Sequence, residues 1–538
     1  MNEQDIAETP LYPVGIQDFE KLRRNNYLYV DKTALVYKLA RGLNYFFLSR
    51  PRRFGKSLLT STLQCYFEGR KELFTGLAME RLEKEWTRYP VLHFDLSDAK
   101  SNRIENIENN LSGQLNQYEK IYGKEEEAFT LSRRMGELIQ RAKAATGQNV
   151  VVLIDEYDAP ILAVLHDKKM REAVRELLRE FFSPLKKNDG ALRFVFLTGI
   201  STFSQLSIFS ELNNLEIISM TGEYASICGI TEQELRDNFA PGIRTLAEAK
   251  GYSPEEMVER LRDEYDGYHF SKNTEGVFNP FSLLSAFKQN ELGYYWFHSG
   301  TPGPLVEMLK KYMQNDEFDI SCLENSMPVI SDMFESPLEA ETGPIPLLYQ
   351  AGYLTIKEYL PEDNAYILGI PNSEVRVGLM KNLLPLFSSV PTSKTEKVQC
   401  AADFTSNALR RGDVDKAMLQ LKSVLASVPF MKGDKDILAD AEKREAHYHV
   451  LFYFFFRMLS NEVNAEVRNA VGATDVIIKT PKYIYIVEIK IDATPDVALA
   501  QIEAKGYATP FLADGRELVR IGVNFSTTSR TIEEWKAV

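Results

Sequence analysis

Up to about residue 230, short unbroken apolar runs alternate with amphipathic stretches. This is the pattern of buried strands and crossover helices in a parallel sheet. Strands are predicted over Tyr45–Ser49, Pro90–Leu96, Val150–Asp155 and Arg193–Thr198. The run Val150-Val-Val-Leu-Ile154 shows no alternation, which marks a strand covered on both faces. From about 231 to 435 the pattern becomes mostly helical. Segments at Glu232–Asn238, Pro254–Tyr265 and Asp413–Ala426 are separated by Gly/Pro turns such as Thr301-Pro302-Gly303-Pro304. From about 436 mixed α/β patterning returns. A long helix over Ala439–Leu459 comes first, then strands at Ala465–Arg468, Thr474–Lys479 and Tyr483–Lys490. A helix around Pro495–Tyr507 and a strand at Val519–Phe525 close the chain. The expected fold class is α/β, with domains at 1–230 (parallel sheet with flanking helices), 231–435 (helical lid or linker) and 436–538 (a smaller α/β layer).

Length fits this division, since 538 residues exceed what one hydrophobic core supports. The net charge of −13 argues against gripping nucleic acid by bulk electrostatics. Cys65, Cys228, Cys322 and Cys400 form no CxxC pair, which fits a reducing compartment and excludes a zinc ribbon. The start carries Glu3, Asp5 and Glu8, unlike a signal peptide. The aromatic run Val450–Phe456 is too short to cross a bilayer. A cytoplasmic protein with no membrane partner is expected, and a homo-oligomeric state stays open.

After the strand Tyr45–Ser49 comes Arg50-Pro-Arg-Arg-Phe-Gly55-Lys56-Ser57, and then helical spacing from Leu58 onward. Strand, loop, GK[ST] and helix is the context of a P-loop. There backbone N–H groups and the helix N-terminus face an anion, Lys56 reaches the terminal phosphates and the Ser57 hydroxyl binds Mg²⁺. The full pattern wants glycine at position 50. Pro51, Arg52 and Arg53 make this loop stiff and cationic instead.

Asp155 and Glu156 follow the buried run, where open α/β sheets bind ligands. Two acids there would be costly unless a metal and a water use them. Asp155 is read as the Mg²⁺ ligand and Glu156 as the base that polarises water. Asp158 is placed to substitute for either. Thr198, ending another strand, either contacts the γ-phosphate or water, or caps the strand. The nucleotide set is therefore Arg50, Arg53, Phe54, Gly55, Lys56, Ser57, Leu58, Asp155 and Thr198. No guanine-reading NKxD tetrad is present, so ATP is favoured over GTP.

Near the C-terminus, Tyr483-Ile-Tyr-Ile-Val-Glu488-Ile-Lys490 is odd for a buried strand. Alternation puts Glu488 and Lys490 on one face with Ile484 and Ile486. Asp475 opens the neighbouring predicted strand, and a hairpin brings it beside Glu488. Two carboxylates and a lysine describe a metal-assisted hydrolytic site, with Asp475 and Glu488 on the metal and Lys490 stabilising charge. His447 and His449 do not share a helical face and are read as edge residues. Phe452–Phe456 is read as core.

The segments Tyr29-Val-Asp31-Lys32-Thr33, Arg50 to Ser57, Asp155-Glu-Tyr-Asp158 and Phe209 to Leu215 together resemble the predicted AAA-ATPase-like family. Tyr265-Asp-Gly-Tyr-His-Phe270 adds to the likeness. In that family Arg50 is no departure, and a PD-(D/E)XK nuclease-like domain follows. Asp31 would orient the nucleotide end of the loop or simply occupy a polar turn. The resemblance implies a helical Glu445 acting with Asp475, Glu488 and Lys490, and Gln501 as an orienting residue. Gly472-Ala473-Thr474-Asp475 lacks the arginine expected before the aspartate, a place Arg468 could fill. The expected function is Mg²⁺-dependent ATP hydrolysis coupled to metal-dependent cleavage of DNA or RNA. The alternatives are an ATP-driven sensor whose tail binds nucleic acid or protein without cutting, and a nucleotide-binding scaffold.

Overall fold

The computed structural model describes residues 10–42, 45–124, 130–165, 167–201, 215–298, 328–330, 345–387, 395–427, 452–459, 464–470, 473–526, 528–529 and 531–538. For 464–470 and 473–475 it describes the backbone alone. The chain divides into two compact units, Met1–Asn372 and Ser373–Val538. Among the described residues no helix is long and apolar enough to cross a membrane.

In the first unit, β1 (Tyr45–Ser49), β2 (Val91–Asp95), β3 (Val150–Asp155), β4 (Leu192–Gly199) and β5 (Leu215–Ile217) form one sheet in the order β2-β3-β4-β1-β5. All its pairings are parallel. Every residue of β3 is buried, as its unbroken apolar run requires. Helices α1 (Thr33–Arg41), α2 (Lys56–Phe67), α3 (Ile104–Tyr122), α4 (Leu131–Thr146) and α5 (Lys168–Phe182) accompany the sheet. Leu111, Leu115, Leu138, Ile139, Leu178 and Phe181 pack with Val152 and Ile154 in one core.

The middle stretch of this unit is mostly helical. Thr231 and Ser253 open α6 (Glu232–Lys250) and α7 (Pro254–Tyr265) with full capping boxes through Glu234 and Glu256. The expected stop at Asn238 is corrected, because α6 runs through Pro241. That proline is exposed while Leu235, Phe239, Ile243 and Leu246 are buried, so the lost backbone bond faces water. Helix α8 (Pro280–Gln289) joins them around Tyr12, Phe239 and Phe287. Strands β6 (Pro328–Ile330), β7 (Thr355–Leu360) and β8 (Ala365–Gly369) form a small antiparallel sheet that the helical reading missed.

The second unit opens with α9 (Ser373–Phe387), α10 (Thr395–Arg410) and α11 (Val414–Ser427). Its sheet, ordered β13-β12-β11-β10-β9, comprises β9 (Asn464–Ala470), β10 (Ala473–Lys479), β11 (Tyr483–Ile491), β12 (Glu517–Ser526) and β13 (Thr531–Ala537). Strands β9, β10 and β11 run as an antiparallel meander. Helix α12 (Pro495–Ala504) carries the chain from β11 to the parallel β12. The expected boundary near 436 falls inside this unit, because earlier helices pack on the sheet. Tyr485 Oη donates to Leu409 O at 2.6 Å and Trp535 Nε1 to Asp415 Oδ1 at 2.8 Å. Gly412 (φ +79°) lies so near Tyr483 that a Cβ would come within 2.7 Å of its hydroxyl. Of the long helix expected over Ala439–Leu459, residues 452–457 are described as helical, with Phe452, Phe454, Phe455 and Phe456 in the core.

Candidate functional site

The loop between β1 and α2 is bent at its end rather than its start. Gly55 has φ 90° and Arg53 φ 68°. Gly55 is the N-cap of α2, and glycine accepts that left-handed backbone without strain. Lys56 is the first residue of this twelve-residue helix and is 4% exposed. Its Nζ donates to the carbonyls of Arg50 and Pro51 at 3.1 and 3.2 Å. The positive end of the helix and this ammonium thus lie together where an anion would bind.

Arg50 is turned to other work. Its guanidinium donates to the carbonyls of Ser219 and Tyr224 at 2.7 and 3.1 Å and lies 4.0 Å over the Phe270 ring. Burial lowers its pKa to about 10. The Arg50 side chain, placed in the nucleotide set by the sequence, is thus engaged by the protein's own carbonyls and by an aromatic face. Phe54 is likewise core, 1% exposed against Tyr268 and Phe270. Asp31 accepts from Thr33 N and Oγ1 and from Ala78 N, joining two helix starts instead of orienting a ligand. Lys32 pairs with Glu234 at 2.6 Å.

The carboxylates sit at the C-terminal ends of the central strands. Asp155 is 2% exposed, and burial pushes its carboxyl up to about 6 against a hydrogen bond from Ser57 and the charge of Lys56. Glu156 takes a left-handed backbone (φ 49°), a strained conformation for a side-chain-bearing residue. Asp158, expected to be able to substitute for either, has one carboxylate oxygen engaged within the fold. Its Oδ2 accepts from Ile200 N, Ser201 N and Ser201 Oγ at 3.0, 2.7 and 2.6 Å, and so ties down the chain leaving β4. Thr198 is wholly buried, and Gly199 beyond it is required because a Cβ would meet Asp158 and Tyr157 at 2.6 Å.

An open cleft of about 390 Å³ runs along the loop, lined by Arg52, Arg53, Gly55, Lys56, Ser57, Leu58 and Glu156. Asp95, Ser97 and Lys100 also line it, with Gly15–Gln17 and Phe281. Asp95 is the register partner of Asp155, so the strand-end rule that singled out Asp155 also pointed to it. Gly15, Ile16, Gln17 and Phe281 gave no such signal, because tertiary packing alone brings them there. A second, mostly apolar pocket of about 100 Å³ adjoins the first through Pro13, Gly55, Leu58, Pro280 and Leu284. Among the described residues no three His, Cys, Asp or Glu converge as a cage. The Ser57–Asp155 pair is a hard oxygen donor set that suits Mg²⁺ only if phosphate and water complete the shell.

In the second unit, Asp475 on β10 and Glu488 on β11 are direct register partners. Glu488 is wholly buried, and Lys490 Nζ lies 3.0 Å from its Oε1. Gln501, half buried, lies on α12 beside the buried Ala498 and Ile502. Glu445, His447, His449 and the Phe209–Asn214 part of that motif lie outside the described residues, as do the side chains of Asp475 and Arg468.

A parallel sheet with a strand–loop–GKS–helix unit defines the class, a P-loop NTPase fold, joined here to a second sheet domain. The family model of a predicted AAA-ATPase matches residues 13–209, and that of the PD-(D/E)XK nuclease superfamily matches 443–535. An uncharacterized protein from the vnfD 5′ region of Azotobacter chroococcum mcd 1 is 34% identical over 527 residues, covering 97% of each chain. The chain belongs to the predicted AAA-ATPase-like family with a C-terminal PD-(D/E)XK nuclease superfamily domain. A slight likeness links it to the Aeropyrum pernix ORC2 protein, solved as ADPNP–ADP complexes. That likeness has TM-score 0.26 and 11% identity over 69% of this chain and 93% of that one.

Proposed function

We propose that the first unit binds and hydrolyses ATP with Mg²⁺, and that the second is a metal-dependent nuclease acting on DNA or RNA whose activity follows the nucleotide state. The reading rests above all on one cluster: half-buried Ser57 bonded to the buried Asp155, with buried Lys56 beside them at a helix N-terminus. Mg²⁺ held there would neutralise phosphate charge. Ser57 and Asp155 are the residues that would hold it. Lys56 leaves the loop carbonyls to bind the terminal phosphate. Arg52, Arg53 and Lys100 offset the remaining phosphate charge, and Glu156 orients water and takes its proton. The adjoining apolar cavity suits the base.

In the second unit the paired positions Asp475 and Glu488 would hold a divalent ion, with Lys490 stabilising negative charge. Glu445 and Gln501 are proposed beside them by family likeness. The closed Glu488–Lys490 ion pair favours one second reading, a sensor whose tail binds without cutting. A domain division near 230, a cytoplasmic location and a homo-oligomer belong to the same reading. Calorimetric titration of Mg²⁺-ATP into wild type and Lys56→Ala tests the first site. Binding by wild type and its loss in the variant are expected, and equal binding by both would refute the assignment.

A further inference from the structure

The stretch matched by the AAA-ATPase family model ends at residue 209, yet what fixes the phosphate loop comes from beyond it. Arg50 is held by the carbonyls of Ser219 and Tyr224 and by the face of Phe270. Pro51 packs on Gly352 (φ +89°), where a Cβ would come within 2.7 Å of it. The Arg52 carbonyl accepts from Trp296 Nε1 at 3.2 Å. Arg53 lies 4.7 Å over the Phe281 ring, and Phe54 meets the edges of Tyr268 and Phe270 at 4.7 and 5.2 Å. Each residue from 50 to 54 is thus engaged by the middle stretch. Lys56 is in turn held by the carbonyls of two of them, Arg50 and Pro51.

We propose that Phe270, with Arg50 and Trp296, positions the phosphate loop for nucleotide, so that ligand affinity and the docking of residues 219–298 and Gly352 are one coupled property. The proposal rests on the loop being the phosphate site. A glycine at position 50 would leave the loop to be ordered on binding. Here that ordering is completed when the middle stretch folds against it, which is preorganisation in the physical sense. Phe270 acts through its ring on both Arg50 and Phe54, and their place sets the carbonyls from which Lys56 must depart. By linkage, whatever loosens the middle stretch weakens nucleotide binding, and nucleotide stabilises its docking by the same factor.

The test uses the full chain with Phe270→Leu, which removes the ring, Phe270→Tyr, which keeps it, and Trp296→Phe, which removes only the N–H. The probe is a fluorescent ATP analogue with Mg²⁺. Phe270→Leu should weaken binding about tenfold while kcat at saturating ATP stays within about threefold, and Phe270→Tyr should restore affinity. Amide hydrogen exchange over residues 50–57, without nucleotide, should speed up in Phe270→Leu and Trp296→Phe but not in Phe270→Tyr, with β3 unchanged. Unchanged loop exchange and affinity in both loosening variants would overturn the proposal. So would a tyrosine variant as impaired as the leucine one. Should Phe270→Leu fail to fold, Trp296→Phe carries the comparison. Failure of wild type to bind the probe would refute the nucleotide reading, whereas the exchange data judge the clamp separately.

Discussion

Asp155 shows how a site is bought with stability. At the end of a wholly buried strand it accepts from the Ser57 hydroxyl and from Glu156 N at 3.0 Å and has an ammonium nearby, yet burial still pushes its carboxyl to about 6 from 3.8. The folded state therefore holds its proton more tightly than the unfolded state. Stability is unaffected below about pH 4, falls as pH rises toward 6, and stays lower above it. The penalty at neutral pH is ~3 kcal/mol as an upper estimate. Asp155→Asn should accordingly raise the melting temperature at pH 7.5 but not at pH 4, while abolishing Mg²⁺-supported turnover. Calorimetric scans at the two pH values check this, and equal shifts at both would remove the burial account. Mg²⁺ with nucleotide should stabilise wild type by mass action and the variant much less. Glu488 poses the related problem of a wholly buried carboxylate paired to Lys490. Lys490→Ala removes the ammonium from that buried pair and should destabilise by up to about 3–5 kcal/mol, measurable by denaturant titration, whereas Lys490→Met with Glu488→Gln should cost far less.

At the scale of elements, what was legible followed from period and punctuation. The strand Val150–Asp155 was readable because five apolar residues in a row have one stable solution, and the observed β3 has those bounds. Glu488 was readable because an acid broke a buried alternation, and the register opposite Asp475 came from an ordinary hairpin. Strand β13 was not readable, since only Ile532 of its seven residues is buried and an edge strand carries little pattern. Nor was the role of Arg50 readable, because Ser219, Tyr224 and Phe270 converge on it only in three dimensions. The boundary near residue 436 was drawn from a change of pattern, but α10 and α11 supply partners to Tyr485 and Trp535. A fragment 373–538 should therefore fold cooperatively, and 436–538 should lose Tyr485 and Trp535 partners and populate a less stable, exchange-prone state. Circular dichroism melts of both fragments decide it; identical cooperative melts would mean the helices are dispensable.

The whole molecule joins a P-loop NTPase-fold domain to a PD-(D/E)XK nuclease superfamily domain, each proposed to carry its own chemistry. If they are separable in chemistry, Asp475→Ala and Glu488→Gln should abolish Mg²⁺- or Mn²⁺-dependent cleavage of plasmid, linear or single-stranded DNA and RNA while phosphate release from ATP continues. Gel assays beside phosphate release check this; wild type inert on every substrate but binding some of them would favour the sensor. The central claim lies upstream, at the loop. Glu156 sits in a strained backbone at the cleft wall, where only a role in turnover distinguishes it from a surface acid. The most direct measurement is phosphate release and Mg²⁺-ATP affinity on wild type and Glu156→Gln together. Hydrolysis by wild type, with affinity in Glu156→Gln within about threefold and turnover reduced at least about a hundredfold, is the predicted result. Turnover in Glu156→Gln equal to wild type, or no hydrolysis by wild type despite binding, would contradict it.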